Sequence, residues 1–569
     1  MKWNGRSALS FCAIVLGFFM ALLDSTIVNI ALPEMMHSYS SSVREISWVM
    51  NGYNLAFAVF ILTSARLADQ FGRKKLFLIG LAVFTLSSLF AGLSTSSEAL
   101  IACRVVQGLA GAIIVPVTVP LTTSTFPKEL HGVVIGIWGA VSGLAAASGP
   151  ALGGILIDWL SWPWIFFVNV PLGILSIVLT VAFIQESVDP SSDKRIDWAG
   201  MLSISAAMFC LTYAFIKVPD YGWGSPTTLF LFGVSLLAFF CFALAESKGK
   251  HPMLPLSLLR IGVFNRAAAT LIVAGGAIMS VAFLMSFFLT RIVGMSELHA
   301  GLTISVMALA SMCTSVFSGP LSAKYGSRWF AAAGMLLMIL SIYTFRSLTS
   351  DSSTIVIMLR LALSGLGLGL CLSPVIAASV RNVPEEKVGI ASGVVNMARA
   401  IGNVLGVAIL ATVLNNAMTS EMDHAKEVSL THLQSVQELA PEWKQVVGTR
   451  IEQTLVSDNG NSTSSINSFK PAELSALLDQ QKEAITKTLS DEQREAFLKE
   501  YDQQKKMVTD QFLFLQSRLQ KAGENAFHHT FGFSCLILLI GVPLALGSDV
   551  RYRTRKKLLK SANASADHP

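Results

Sequence analysis

Three charged residues stand inside stretches that are otherwise apolar. Asp24 lies in "LLDSTIVNIALP" (22–33), two-thirds of the way along a run from Leu9 to Leu32, with Ser25, Thr26 and Asn29 beside it. Arg104 opens "RVVQGLAGA" (104–112), which also carries Gln107, and Arg360 opens "RLALSGLGLG" (360–369). Burial raises the pKa of a carboxylate and a nearby cation lowers it. A site balanced between those effects can take up and release a proton, and its charge can be linked to substrate occupancy. A permanent pair holding two helices together is the structural alternative. A cation at the centre of a membrane helix costs about 2.5–3.5 kcal/mol on insertion scales, so two at matched positions suggest a function. The plain alternative, snorkelling to the outer surface, is strained at a depth of roughly 10 Å. In "VVNMARAIGNVLG" (394–406), Asn396, Arg399 and Asn403 share one helix side, and polar groups at that depth face a cavity or a partner.

These residues need a frame that spans a membrane. The 569-residue chain is 53% hydrophobic and 14% charged, whereas soluble domains carry roughly a quarter charged residues. Apolar runs long enough to cross a bilayer recur near 8–32, 46–65, 76–95, 98–122, 133–157, 163–184, 197–217, 226–245, 265–290, 300–320, 328–345, 355–378, 389–416 and 528–547. The expected fold is therefore an all-α polytopic membrane protein with fourteen transmembrane helices. The first run is too long, and too polar in its second half, for a cleaved signal peptide. With the N-terminus inside, the inner loops and tails carry 23 Lys and Arg against four in the short outer loops. That bias puts both termini in the cytoplasm. All seven cysteines fall in apolar runs; they are expected as small core residues and imply no disulfide framework.

If spans 1 and 4 are neighbours, Asp24 and Arg104 lie at similar depth, about 12 Å and 10 Å below the outer surface by helical rise, and each can neutralise the other. Residues 419–527 hold 17 acidic and 12 basic residues, a net of −5. This segment follows an odd span and belongs outside. Ser490-Asp491-Glu492-Gln493 has capping-box spacing. Phe497, Tyr501, Val508, Phe512, Leu515 and Leu519 repeat behind it at helical intervals, so a helical cap is expected, with 457–468 as its flexible middle.

"ARLADQFGRKK" (65–75) joins spans 2 and 3. Gly72 permits a tight turn, and Asp69 stands among Arg66, Arg73, Lys74 and Lys75, where it can cap a helix or pair with a cation. An ordinary positively charged inner loop is the plainer reading. "GPLSAKYGSR" (319–328) is a weaker copy with Ala323 where Asp69 stood. It suggests an internal repeat of spans 1–6 and 9–14, and repeat halves that rock about a central site are a common transporter plan. The expected division is 1–190 as the first six-helix half and 191–262 as two inserted helices with a linker. Residues 263–418 hold spans 9–13, 419–527 the outer loop, and 528–569 the last span with a basic tail. Span 5, "WGAVSGLAAASGPALGG" (138–154), carries a stripe of small residues ending in Gly149, Pro150, Gly153 and Gly154. Helix packing explains the stripe; Pro150 should also kink the helix.

On these motifs the chain resembles the major facilitator superfamily, in its fourteen-span drug:proton antiporter branch. "LDSTIVNIALP" looks like that branch's span-1 motif, "ARLADQFGRKK" like the loop 2–3 motif, "RVVQG" like the span-4 motif and "SGPALGG" like the span-5 antiporter motif. Ala65 and Gln70 depart from the usual Gly and Arg. The resemblance implies alternating access and proton coupling at Asp24, with Arg104 as coupling partner. It also implies a conformational latch at Asp69, Gly72 and Arg73, and an exporter-type span at Gly149, Pro150, Gly153 and Gly154.

The function expected is proton-driven export of lipophilic drugs or other toxic amphiphiles, with substrate, protons and membrane lipid as partners. Export of one specific metabolite, peptide or lipid is the alternative, and a non-transporting scaffold using the outer loop is a third reading. Asn29, Gln107, Arg360, Asn396 and Arg399 are the expected cavity residues. One acid against three arginines disfavours dications, and spans 9–14 hold no acid at all. There is no Walker A pattern, HExxH or Cys/His cluster; no enzyme chemistry, cofactor, metal or nucleic-acid partner is expected.

Overall fold

The computed structural model describes residues 5–127, 130–188, 195–248, 252–254, 256–381, 383–384, 387–441, 443–445, 447–449, 482 and 491–549. The helices are α1 (Gly5–Tyr39), α2 (Val43–Ile46), α3 (Trp48–Phe71), α4 (Arg73–Gly92), α5 (Ser97–Thr125), α6 (His131–Trp159), α7 (Trp164–Phe167), α8 (Asn169–Phe183) and α9 (Trp198–Tyr221). They continue with α10 (Pro226–Lys248), α11 (Leu256–Leu259), α12 (Gly262–Phe287), α13 (Glu297–Tyr325), α14 (Ser327–Phe345), α15 (Thr354–Arg381), α16 (Val388–Ser435) and α17 (Asp491–Leu546). Among the described residues thirteen helices are long and apolar enough to cross a bilayer, α7 and α8 together making one of them. The place of the fourteenth expected span is taken by the 29-residue α6, which packs between α1 and α13 and carries a shorter apolar stretch at Gly136–Ala145.

Local chemistry marks the helix ends. Ser96, Asp197 and Ser296 each accept a hydrogen bond from the backbone N–H three residues on, at the starts of α5, α9 and α13. This satisfies donors that a helix start leaves open. Gly72 and Gly326 have φ of 115° and 93°, a conformation glycine adopts without penalty, and they turn α3 into α4 and α13 into α14.

The packing repeats. α3 packs on α5, α4 on α5 and α8, and α1 on α6 and α8; correspondingly α13 packs on α15, α14 on α15 and α17, and α12 on α16 and α17. Two seams join the bundles: α6 against α13, and α3 against α16. Glycines permit both. A Cβ at Gly143 would lie 3.0 Å from the Ala308 carbonyl of α13, and one at Gly393 would lie 2.7 Å from Ala65 of α3. The additional helices α9 and α10 pack on each other, and α9 leans on α3 and α16.

Several boundaries differ from expectation. α1 runs on to Tyr39, and spans 13 and 14 do not stop at the ends of their apolar runs: α16 continues to Ser435 and α17 starts at Asp491. The cap is thus a continuation of two spans. Met418, Met422, Ala425, Ser429 and Leu433 are buried on α16, and Val508, Phe512, Leu515, Leu519 and Ala522 on α17. Their spacing of three and four residues is that of paired helices, so the apolar seam runs on without a break. Residues 457–468 and Ser490 lie outside the described residues. Cys12, Cys241 and Cys313 are exposed on helix surfaces rather than in the core; lipid is as apolar as the interior, so a small thiol is tolerated on either face.

Candidate functional site

Asp24 and Arg104 meet. α1 crosses α5, and Arg104 Nη1 donates to Asp24 Oδ2. Neither residue has any solvent-exposed surface. Such a pair survives burial only if its remaining polar atoms are also satisfied, and the neighbouring helices supply partners. Arg104 Nη1 also donates to Gln107 Oε1 at 2.9 Å, and Arg104 Nε to the Val49 carbonyl at 3.0 Å. Asn169 Nδ2, at the start of α8, donates to Asp24 Oδ1 at 2.9 Å. Gln107 Nε2 donates to Ser88 Oγ of α4 at 2.6 Å and lies 3.5 Å from Asp24 Oδ1. The Tyr53 ring stacks on the guanidinium with 4.4 Å to its centroid, and the Tyr53 hydroxyl donates to the Ala21 carbonyl. Gly108 makes that approach possible, because a Cβ there would lie 2.3 Å from the Tyr53 carbonyl oxygen.

Helix α6 presses on α1 one turn beyond Asp24. A Cβ at Gly149 would meet Thr26 Oγ1 at 2.1 Å, and one at Gly153 would meet Ile27 Cγ1 at 3.0 Å. Gly154 faces the other way, toward Leu298 of α13. One helix therefore touches both the segment carrying Asp24 and the opposite bundle. The side chain of Pro150 lies outside the described residues.

At the turn between α3 and α4, Arg73 Nε and Nη2 each lie 2.8 Å from Asp69 Oδ1. The other oxygen of Asp69 lies where a Cβ on Gly389 would be, 2.0 Å from that ideal position, in the first turn of α16. A carboxylate at a helix start is favoured by the helix dipole, and this contact bridges the bundles. Glu186, which follows α8, accepts from the backbone N–H groups of Lys74 and Lys75 at 2.9 and 3.1 Å.

The remaining expected cavity residues are dispersed. Asn29 is exposed and donates to the Thr26 carbonyl at 3.3 Å. Arg360 is half-buried, and its Nη1 donates to the Thr344 carbonyl of α14. Asn396 is buried and donates to the Ser392 carbonyl at 2.9 Å. Arg399 is half-buried, its Cγ 3.2 Å from the site of a Cβ on Gly275 of α12, and it has no ion-pair partner among the described residues. Gln107 belongs to the Asp24 cluster. Asn169, Ser88, Tyr53 and Glu186 were missed in the sequence. Asn169 carried a usable signal, being an amide inside "WIFFVNVPLG" (164–173), an otherwise apolar run.

The model for the Major Facilitator Superfamily matches residues 14–407. The chain is 33% identical over 411 residues to the tetracenomycin C resistance and export protein of Streptomyces glaucescens, covering 72% of this chain and 76% of that one. It is 34% identical over 412 residues to the multidrug resistance protein Stp of Mycobacterium tuberculosis (strain CDC 1551 / Oshkosh), with the same coverage of 72% and 76%. To the methylenomycin A resistance protein of Bacillus subtilis (strain 168) it is 31% identical over 412 residues, covering 71% and 87%. The fold is shared with the crystal structure of the human organic anion transporter MFSD10 (TETRAN), at a TM-score of 0.55 and 14% identity over 72% of this chain and 94% of that chain. With a family match over most of its length and relatives above 30% identity across nearly three quarters of it, the chain belongs to the Major Facilitator Superfamily.

Proposed function

We propose that the protein is a proton-coupled antiporter that exports lipophilic drugs or other toxic amphiphiles across the cell membrane by alternating access. The observation that carries the coupling is the fully buried Asp24–Arg104 pair, braced by Asn169 and Gln107. Opening the site to water on one side lets the carboxylate exchange a proton. Export rests on the relatives, which are named for resistance and export. The bundles of residues 1–190 and of spans 9–14 rock about the seams α6–α13 and α3–α16, with Asp69 and Arg73 latching the second seam and Gly72 turning the chain between them. The excess of Lys and Arg on the loop 2–3 side puts both termini in the cytoplasm. Asn29, Arg360, Asn396 and Arg399 contact substrate, and the three arginines against one acid favour neutral, zwitterionic, monocationic or weakly acidic molecules over dications.

Two of the relatives are named for a single compound, which favours a second reading of narrow specificity. A growth-inhibition panel across dyes, biocides and antibiotics separates the two. The test of coupling uses proteoliposomes with an imposed pH gradient, following substrate accumulation and proton flux together. Asp24→Asn keeps the shape but cannot change charge, and is expected to lose uphill export. If Asp24→Asn concentrates substrate at near wild-type rates, Asp24 is structural and the proposal fails.

A further inference from the structure

Asn169 is fully buried and donates to Asp24 Oδ1 at 2.9 Å, while its own carbonyl oxygen, Oδ1, has no hydrogen-bond partner. An orphaned buried acceptor is uncommon and costly. Here it belongs to a side chain whose two ends, donor and acceptor, differ by a half-turn about one bond.

We propose that Asn169 sets the proton affinity of Asp24 and follows its charge state, donating to the carboxylate and accepting from the acid. This rests on the coupling role given to Asp24. When Asp24 is ionised, Nδ2 of Asn169 holds Oδ1 of the carboxylate while Arg104 holds Oδ2. When a proton from the opened aqueous side adds to the carboxylate, the O–H that forms needs an acceptor. The half-turn of the amide supplies one, and the unpartnered atom becomes the NH2 group. No other residue of the cluster is as free to serve both states. Arg104 is a donor in every state, and Gln107 is committed at both ends, to Arg104 and Ser88. Among the described residues, the charged or titratable groups facing Asp24 are Arg104 from α5 and Tyr53 from α3; α4 brings Ser88 to Gln107, and α6 brings small residues, Gly149 and Gly153, against Thr26 and Ile27. Asn169 is thus a positioning residue for the proton.

The test needs no substrate. The full chain in lipid nanodiscs is titrated by infrared difference spectroscopy, and the carboxylic-acid C=O band of Asp24 is assigned by its loss in Asp24→Asn. Asn169→Leu keeps the branching and removes the donor to the charged form, so the ionised acid is less stabilised and its midpoint rises. The expected rise is about one pH unit, the difference between one hydrogen bond to the charged form and the weaker one to the acid. Asn169→Asp places a second carboxylate against Asp24 and is expected to raise it further. Asn169→Gln keeps the amide and serves if the leucine variant does not insert; its displaced donor gives a smaller shift in the same direction. A band whose midpoint is unchanged in a folded Asn169→Leu or Asn169→Gln protein overturns the role of Asn169 while leaving Asp24 as a proton site. No Asp24-dependent band at any accessible pH overturns the coupling reading itself, and this inference with it.

Discussion

The two bundles share a frame and differ in what is mounted on it. The helix contacts repeat, and so does a carboxylate at the start of the third helix of each: Glu186 on Lys74 and Lys75 of α4, Asp549 on the Ser327 N–H of α14 at 2.7 Å. Asp549 also takes a hydrogen bond from Arg381 Nη2 at the end of α15. The intramembrane arginine is repeated as well, but its surroundings are not. Arg104 is sealed in with Asp24, Gln107 and the Tyr53 ring, while Arg360 is half-buried and reaches the Thr344 carbonyl. Asp69 bridges one seam; at the other, Ala323 follows Pro320, which lies against Gly136 of α6. On the proposed alternating-access reading, one body rocks against another and uses two similar frames, which fits the duplicated capping acids and helix contacts. On the same reading, coupling to a proton needs one titrating acid, and a second buried pair would add desolvation cost without adding control.

The largest contrast is expected between Arg104→Gln and Arg360→Gln. The first leaves a buried carboxylate without its cation, a change that costs about 3–5 kcal/mol. It should lower the thermal unfolding temperature sharply and abolish gradient-driven transport in proteoliposomes. Arg360→Gln removes a hydrogen bond at a half-buried site, should cost about 1 kcal/mol, and should weaken substrate affinity while transport stays coupled to the gradient. Adding Asp24→Asn to Arg104→Gln should restore much of the lost stability, because neither charge is then stranded. Equal losses from the two arginine changes would break the comparison between the bundles.

A smaller effect is expected at the seams. Asp69→Asn removes a charge from the start of α16 and an ion pair with Arg73, about 1–2 kcal/mol, or a factor of roughly 5–30 in the equilibrium between closed and open seams. Turnover should fall while equilibrium substrate affinity stays nearly intact. A large loss of affinity at preserved turnover would assign Asp69 to substrate binding. Ala323→Asp sharpens the contrast by offering the α6–α13 seam the carboxylate it lacks; on the Asp69→Asn background it should recover part of the turnover.

The frame was largely legible because bilayer thickness imposes one period on every span, and the charge of 419–527 separated the cap from the membrane. The end of α16 was not legible, nor was the fusion of the cap helix with span 14, although the capping-box spacing marked the start of α17 at Asp491. Met418 and Met422 continue the apolar seam past the lipid boundary, and hydropathy cannot tell a seam against another helix from a seam against lipid. The Asp24–Arg104 pair could be reasoned from depth alone, because a helix fixes depth by residue count. Asn169, Ser88 and Tyr53 could not, because which faces of α8, α4 and α3 turn toward α5 is set by packing between spans distant in sequence. Glu186 and Asp549 lie just beyond their helices, where a carboxylate reads as an ordinary loop residue until the turn it caps is known.

Both capping acids should matter, Asp549 more. Glu186→Gln and Asp549→Asn each weaken a charge-assisted contact to a helix start, worth about 1 kcal/mol, and Asp549→Asn, at a buried site, also removes the ion pair with Arg381. Thermal unfolding of the purified variants should show a small loss for Glu186→Gln and a larger one for Asp549→Asn. A loss confined to Asp549→Asn would mean that the first bundle does not rely on its capping acid.

The smallest effect on transport is expected from the feature that belongs to the second bundle alone, the cap. Its paired helices bury Met422, Ala425 and Leu433 against the α17 face that carries Val508, Phe512 and Leu515, so it is a folded extension and not a loose tether. Its base is tied to the bundle by three contacts. Glu524 accepts from the Ser350 N–H at 2.7 Å, His528 Nε2 meets the Leu348 carbonyl at 2.6 Å, and Asn525 Nδ2 donates to Glu421 at 3.1 Å. All of these residues lie outside 425–520. Replacing 425–520 with a short Gly/Ser linker therefore removes the distal helices and keeps the ties that hold α17 against the loop between α14 and α15. None of the groups around Asp24 is touched, nor is either seam. The variant should insert, resist unfolding nearly as well as the full chain, and move substrate down an imposed pH gradient, with any change appearing in substrate preference across a panel of compounds. Complete loss of transport in a normally expressed and inserted variant would move the cap from accessory to machinery. The asymmetry between the bundles would then include a moving part outside the membrane, driven by α16 as its inner end shifts against Asp69.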